Sequence, residues 1–201
     1  MSTTVLQLNS SLRDSGSLSR EVGSYLVERL VTKADDQLLQ RDLAATHLPL
    51  ITNEHANAYF IPSDQRTNEQ HQLLSLSDEL VAELKSAKEL IIGVPIYNFS
   101  IAASLKAWID LVCRVGETFA YEEGGPKGLI AAERAFIVVS SGGTEVGSDI
   151  DFASRYMEQV CCFLGIDEIH IIDVSGSKGE PDRLIAHAKE QVDSILLNAE
   201  G

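Results

Sequence analysis

The chain has 201 residues, of which 44% are hydrophobic and 23% are charged, and its formal net charge at pH 7 is −14. A chain of this length can bury a full hydrophobic core, so residues 1–201 are expected to form one domain without disulfides or a structural metal. The negative charge argues against nucleic acid or an anionic membrane as the main partner, because both require a clustered positive surface.

The cysteines and the N-terminal sequence indicate the compartment. Cys113, Cys161 and Cys162 are odd in number and lack the spacing of a metal site, which favours free thiols in a reducing environment. The five histidines also lack ligand spacing, so no bound metal is expected. No signal-peptide pattern precedes the first strand-like segment, and no apolar run approaches the ~20 residues that span a bilayer. A cytoplasmic location is predicted.

Apolar segments typical of strands alternate along the chain with longer segments of helical periodicity. The predicted strands are Thr4–Leu8, Gln37–Arg41, Leu90–Val94, Ala135–Val139 and Ile169–Val174. This alternation predicts an α/β fold in which helices cover both faces of a parallel sheet. The third and fourth segments are continuously apolar, as expected of central strands. The predicted architecture is a doubly wound five-stranded sheet of order 2-1-3-4-5.

Two segments do not fit this five-strand pattern. Residues 44–66 form a long connection without clear periodicity, and residues 116–128 form a Gly-rich excursion that contains Phe119 and Tyr121. Loops of this length in a compact domain are commonly functional or disordered.

A serine-rich loop follows the first predicted strand and leads into a helix. Ser11, Ser17 and Ser19 offer hydroxyl groups there, and the backbone amides of a helix N-terminus attract an anion. The loop lacks the Gly-x-x-x-x-Gly-Lys pattern of triphosphate sites and the Gly-x-Gly-x-x-Gly pattern of dinucleotide sites. It therefore favours a terminal monophosphate, although an ordinary helix cap would use the same residues.

Two further loops follow the third and fourth predicted strands. Pro95–Phe99 supplies a rigid turn with two aromatic rings and an amide, a combination suited to a planar ring system. Gly142 and Gly143 allow the backbone to approach a ligand closely. Each loop alone is also compatible with an ordinary turn, but loops at the carboxyl ends of neighbouring parallel strands meet at one crevice, and together they favour FMN. The candidate cofactor-binding residues are Ser11, Ser17, Leu18, Ser19, Pro95, Ile96, Tyr97, Asn98, Phe99, Ser140, Ser141, Gly142 and Gly143.

Four motifs resemble one protein family, and the similarity extends over essentially the whole chain. They are Pro95-Ile96-Tyr97-Asn98-Phe99, Ser140-Ser141-Gly142-Gly143, Arg41-Asp42-Leu43-Ala44 and Leu76-Ser77-Asp78-Glu79-Leu80. In these motifs the chain resembles the bacterial FMN-dependent NADH-azoreductases, which are flavodoxin-like homodimers that also reduce quinones. The resemblance implies bound FMN, NADH as the electron donor, and a dimer interface that forms part of each active site.

The resemblance also implies a substrate pocket beside the flavin. Phe119 and Tyr121 of the excursion are its candidate residues, together with Glu145. Thr144 and Glu145 stand where the family carries Ile-His, and a carboxylate near the electron-rich reduced flavin would raise its energy.

The implied reaction needs no covalent bond to a side chain, so no catalytic residue is predicted. A hydride passes from NADH to the flavin, and a quinone or azo acceptor then replaces the oxidised nicotinamide, which predicts ping-pong kinetics. The sequence leaves open a reductase chiefly of nitroaromatics, a non-enzymatic flavodoxin-type electron carrier, and a phosphopeptide or nucleotide sensor without redox chemistry. NADPH would need a cation for its extra phosphate, and the candidates are Arg66, Lys106, Arg114 and Lys127.

Overall fold

Five parallel strands form the central sheet of the computed structural model, which describes residues 2–176 and 180–199. The strands in this part of the chain are β1 (Thr4–Asn9), β2 (Gln37–Asp42), β3 (Glu89–Pro95), β4 (Phe119–Glu122), β5 (Gly125–Gly128), β6 (Arg134–Ser141) and β7 (Glu168–Ser175). The order in the parallel sheet is β2-β1-β3-β6-β7, and β4 and β5 form a separate antiparallel pair. Without that pair, the order corresponds to the predicted 2-1-3-4-5, and each of the five predicted strands is confirmed.

Helices cover both faces of this sheet. They are α1 (Leu18–Leu30), α2 (Asn53–Tyr59), α3 (Asn68–Ser86), α4 (Ala103–Val112), α5 (Ser154–Leu164) and α6 (Pro181–Ala199). One buried cluster joins α3, α4 and α5 through Leu80, Trp108 and Met157, and the other joins α1 and α6 through Leu26 and Val192. Within the described ranges, no helix is long and apolar enough to cross a membrane.

The burial of the strands follows their position in the sheet. All seven residues of β3 are buried, and five of the eight in β6 are buried. The strand β2, at the edge, has no fully buried residue. The continuously apolar segments are therefore the central strands, as predicted, because a strand covered by helices on both faces has no solvent-facing side.

The two segments outside the predicted pattern both contain regular structure. In the 44–66 connection, α2 begins with a capping box in which Thr52 and His55 satisfy each other's backbone amides. A short 3-10 helix, Ser63–Gln65, follows. In the 116–128 excursion, the β4–β5 hairpin packs on α5 so closely that a Cβ on Gly128 would lie 2.1 Å from the nitrogen of Gly165. Seven-residue helices and four-residue strands are too short to show periodicity in sequence.

Candidate functional site

The three predicted loops contact one another at the carboxyl ends of β1, β3 and β6. The amide of Leu12, after β1, donates to the hydroxyl of Tyr97 across 3.1 Å. The amide of Ile96, after β3, donates to the carbonyl of Ser140 across 2.8 Å. The parallel register places these strand ends side by side, so the loops surround one crevice.

A cavity of about 230 Å³ lies between these loops. The predicted residues that line it are Ser11, Ser17, Leu18, Pro95, Ile96, Tyr97, Ser140, Ser141 and Gly142. The lining residues that sequence reasoning missed are Arg13, Gly16, Gly176, Pro181 and Leu184. Of these, Arg13 could have been found from its sequence, since it is a cation inside a loop predicted to hold an anion. The predicted residues Ser19, Asn98, Phe99 and Gly143 do not line this cavity.

The loop after β1 presents the N-terminus of α1 to the cavity. Ser17 is the N-cap of α1, and its hydroxyl accepts a bond from the amide of Arg20 at 3.5 Å. Ser19 is buried, with its hydroxyl 3.4 Å from that of Ser17. The Ser10 hydroxyl donates to the carbonyl of Gly93 at 2.7 Å, which ties the loop to β3. A fixed helix N-terminus with a hydroxyl and the Arg13 cation is the donor set that a phosphate requires.

The loop after β3 forms a tight turn with an unusual backbone. Tyr97 and Ser100 exchange backbone hydrogen bonds of 2.8 and 3.1 Å. Between them Asn98 and Phe99 have φ angles of 49° and 71°, although neither is glycine. A positive φ in a bulky residue such as phenylalanine costs free energy, and such residues cluster at ligand-binding sites. Phe99 stays 54% exposed beside the cavity, so the turn does not serve to bury its ring.

The loop after β6 is organised around Ser141. Its hydroxyl accepts bonds from the amides of Gly143 (3.2 Å) and Thr144 (2.8 Å), and its carbonyl accepts a bond from Gly176 (3.0 Å). Gly142 remains exposed and lines the cavity. Glu145 is exposed and lines neither this cavity nor the larger one beside it.

A larger cavity of about 830 Å³ adjoins the first. Ile96 and Tyr97 line both cavities, so the turn after β3 separates them. The remaining walls come mainly from the residues after β2 and from the start of α4 with the two residues before it, and Leu12 after β1 completes them. These walls are mostly apolar. The lining residues are Leu12, Leu43, Ala44, Thr46, His47, Leu48, Leu50, Ile96, Tyr97, Asn98, Ile101, Ala102, Ala103, Ser104 and Ala107. The wall after β2 was missed by sequence reasoning, which treated 44–66 as an irregular connection.

Phe119 and Tyr121 lie on β4, away from both cavities within one chain. Phe119 packs on Phe163 of α5 with ring centroids 4.6 Å apart, and Tyr121 meets Phe119 edge-on at 5.6 Å. Tyr121 is 73% exposed. Their role in a substrate pocket remains a prediction.

An ion pair connects the first turn of α1 with the end of β2. Arg20 donates from Nη1 and Nη2 to the two carboxylate oxygens of Asp42, at 2.8 and 3.0 Å. The bond between them raises the pKa of the Arg20 guanidinium and lowers that of the Asp42 carboxyl. The partners are 22 residues apart, so no local pattern in the sequence signals their contact.

Hydroxyl groups and apolar side chains form most of the lining of the two cavities, together with the Arg13 guanidinium and the His47 imidazole. Such a combination is typical of sites for small organic ligands. Within residues 2–176 and 180–199, no group of three or more His, Cys, Asp or Glu side chains could hold a metal ion.

The chain is similar to known proteins over almost its full length. A family model described as a flavodoxin-like fold matches residues 3–196. An FMN-dependent NADH:quinone oxidoreductase 1 of Jannaschia sp. (strain CCS1) is 43% identical over 193 residues, covering 96% of this chain and 98% of that protein. A protein of the same name from Hahella chejuensis (strain KCTC 2396) is 41% identical over 191 residues, covering 94% and 93%.

The fold also matches a solved structure. The crystal structure of an FMN-dependent NADH-azoreductase from Bacillus anthracis str. Ames Ancestor, in complex with FMN, superimposes with a TM-score of 0.84 over 100% of both chains. The two sequences are 23% identical, so this similarity demonstrates a shared fold.

Proposed function

The chain belongs to the flavodoxin-like family of FMN-dependent NADH:quinone oxidoreductases, and on this premise we propose that it transfers two electrons from NADH, through FMN, to quinones and azo compounds. The observation that carries the proposal is the meeting of the loops after β1, β3 and β6 at one cavity. When bound, FMN supplies the chemistry, because its ring accepts a hydride from one partner and gives it to another.

The residues around the smaller cavity fit the phosphate end of FMN. The cavity holds about 230 Å³, less than a site for a whole cofactor usually does, so the ring system extends beyond it along the turn after β3. We propose that Ser11 and the segment Ser17–Ser19 hold the phosphate together with Arg13, because the α1 N-terminus and these hydroxyl groups favour an anion. The turn Pro95–Phe99 and the loop Ser140–Gly143 then bind the ring system. The candidate donors in these two loops are the backbone amides of Asn98, Phe99 and Gly142. Held in place by the loops, they stabilise negative charge on the ring without reorganising.

The larger cavity is the proposed binding site for the acceptor. Its volume of about 830 Å³ lies within the range of small-molecule pockets. Its apolar walls suit planar quinones and azo compounds, and Tyr97 brings it next to the flavin cavity. Apolar walls around the acceptor also keep water away from the hydride transfer.

The ion pairs made by the four candidate cations favour NADH over NADPH as the electron donor. Arg66 and Arg114 are buried and pair with Asp78, while Lys106 pairs with Asp110 and Lys127 with Glu122. To bind one of these cations, the additional phosphate of NADPH would have to displace the carboxylate that already pairs with it. The pairing therefore supports a donor without that phosphate.

The proposal extends to the assembly and the compartment. Two copies associate, and the hairpin residues Phe119 and Tyr121 together with Glu145 complete the substrate pocket of the partner. Tyr121 and Phe152 are 73% and 61% exposed, which leaves both rings available for such a contact. The dimer acts in the cytoplasm.

Stopped-flow spectroscopy of the purified, FMN-loaded protein tests the proposed function. Mixing with NADH should bleach the flavin absorbance, and a quinone or an azo dye should restore it. Steady-state rates with varied NADH and quinone should give the parallel reciprocal plots of a ping-pong reaction. A flavin that NADH does not reduce would refute the proposal.

A further inference from the structure

The Arg20–Asp42 pair contacts the backbone that forms the phosphate loop. Besides its two bonds to Asp42, the Nη2 of Arg20 donates to the carbonyl of Ser11 at 2.7 Å. Ser11 lines the smaller cavity, and its hydroxyl accepts the amide of Arg13 at 3.2 Å. The guanidinium therefore fixes the position of the loop that faces the phosphate.

The same pair contacts the backbone that forms a wall of the larger cavity. The Oδ1 of Asp42 accepts the amide of Ala44 at 3.0 Å. Its carbonyl accepts both the amide and the hydroxyl of Thr46, at 2.9 and 2.6 Å. Ala44 and Thr46 line the larger cavity. The Asp42 carboxylate thus binds both the guanidinium and the amide of Ala44, while the main-chain carbonyl of Asp42 holds Thr46.

We propose that the Arg20–Asp42 pair couples the two cavities, so that occupation of the phosphate loop stabilises the wall 43–50 of the acceptor cavity; this inference rests on the proposed function. A phosphate held at the loop restricts the motion of Ser11, and Ser11 is bonded to Arg20. Arg20 in turn holds Asp42 in the geometry that accepts Ala44. A ligand that orders one element lowers the cost of ordering the next, which is a coupling free energy between two sites.

Arg20 and Asp42 are positioning residues in this proposal. Arg20 does not line either cavity, and neither does Asp42. Their side chains act on the acceptor cavity through Ala44 and on the phosphate loop through Ser11. Breaking the pair should therefore weaken acceptor binding in the FMN-loaded protein without removing a ligand contact.

The chain contains a matched control pair at the opposite end of the sheet. Arg134 begins β6 and Glu89 begins β3, and the Arg134 guanidinium donates to both carboxylate oxygens of Glu89 at 2.6 to 3.2 Å. The side chains of the Arg134–Glu89 pair are less exposed than those of the Arg20–Asp42 pair. Breaking it by Glu89→Gln tests the effect of losing a similar ion pair far from both cavities.

Amide hydrogen exchange with and without FMN, read by mass spectrometry, tests the coupling. In the wild-type protein and in Glu89→Gln, FMN should slow exchange in both 11–19 and 43–50. In Arg20→Gln and Asp42→Asn, FMN should still slow exchange in 11–19. The factor by which FMN slows exchange in 43–50 should be about fivefold smaller than in the wild type, which corresponds to the weaker couplings found between two sites. Arg20→Lys, which keeps the charge but not the planar fork, provides a milder variant if the others fold poorly.

A second readout separates this inference from the proposed function. In the protein without FMN, Asp42→Asn should speed exchange in both 11–13 and 43–46, whereas Glu89→Gln should not. In turnover, Asp42→Asn should raise the KM for the quinone about fivefold, whereas Glu89→Gln should leave it unchanged. If FMN slows exchange in 43–50 equally in wild type and Asp42→Asn, the coupling is wrong even though the enzyme is active. If the wild type is inactive but the exchange results hold, the proposed function is wrong and the coupling stands.

Discussion

The guanidinium of Arg114 lies over the ring of Tyr59, with its Cζ 4.7 Å from the ring centroid. The Arg114 side chain is 1% exposed, and its Nη1 donates to the Ser77 hydroxyl at 3.0 Å and to Asp78 at 2.6 Å. Ser77 in turn donates to the carbonyl of Leu111 at 2.6 Å. One side chain therefore connects α2, α3 and α4, and it fixes the end of the 44–66 connection, whose first residues line the larger cavity.

Replacement of Arg114 by lysine should destabilise the protein by about 2 kcal/mol. A lysine ammonium group can still bond Ser77 and Asp78, but it has no planar face to stack on the ring of Tyr59. Urea unfolding of Arg114→Lys measures the loss. Arg155→Lys, at an exposed position, is the control and should unfold at nearly the wild-type midpoint. Equal midpoints for all three proteins would mean that the buried guanidinium contributes nothing.

Substitution of Ser17 should affect FMN more than riboflavin. Ser17→Ala removes a hydroxyl from the phosphate cavity, so the Kd for FMN should rise about tenfold, as expected for the loss of a hydrogen bond to a charged group. The Kd for riboflavin, which has no phosphate, should change little. Fluorescence titration of the flavin-free protein measures both constants.

The serine on the exposed face of the same helix provides the control for this experiment. Ser24→Ala removes a hydroxyl that bonds to the carbonyl of Arg20 and should leave both flavin constants unchanged. An equal loss of affinity for FMN and riboflavin in Ser17→Ala would place the phosphate elsewhere.

Introduction of a methyl group at Gly128 should destabilise the hairpin. The new Cβ would lie 2.1 Å from backbone atoms of Leu164 and Gly165, which cannot rotate away. Gly128→Ala should therefore lower the free energy of unfolding by about 3 kcal/mol or more. Gly124→Ala adds the same methyl where nothing lies within 4 Å, and it should have little effect. Similar thermal midpoints for the two variants would contradict the close packing of β5 on α5.

The Asp42 carboxyl should contribute stability that depends on pH. Its pKa is lowered mainly by the hydrogen bond from Arg20, so the folded state favours the charged form. This contribution is fully present above the unfolded pKa of about 4 and is lost as the pH falls through the folded value. The difference in unfolding free energy between wild type and Asp42→Asn should be constant above about pH 5 and shrink below about pH 4. When both proteins also carry Arg20→Gln, the difference in unfolding free energy caused by Asp42→Asn should depend less on pH.

The three cysteines should differ in their reactivity. Burial raises the pKa of the Cys113 and Cys161 thiols to about 12, so at pH 8 both are protonated as well as shielded. Cys162 is exposed, and the thiolate is the reactive form of cysteine. Iodoacetamide at pH 8 should label Cys162 first, as read by mass spectrometry, and should label all three thiols after unfolding in urea. Early labelling of Cys113 would contradict this order and would show that the packing around its thiol opens enough to admit the reagent.

The architecture was predictable because its signals are local. The continuously apolar runs 90–94 and 135–139 are found at the centre of the sheet, and the order of strands follows from chain alternation. The site was predictable in part for the same reason: its loops each follow a recognisable strand. Ser11, Tyr97 and Gly142 line one cavity, since parallel strands bring the loops at their carboxyl ends to one edge.

The sequence alone thus determined the fold and the three loops that meet at the cofactor cavity, because hydrophobic periodicity and turn residues act over a few neighbours. Only the tertiary structure decided which further residues form the cavities. The wall of the larger cavity follows Asp42, which bonds to Arg20, and the hairpin packs where Gly128 approaches Gly165. Contacts between residues more than twenty positions apart leave no periodic pattern, so they appear only when the packed chain brings their atoms together.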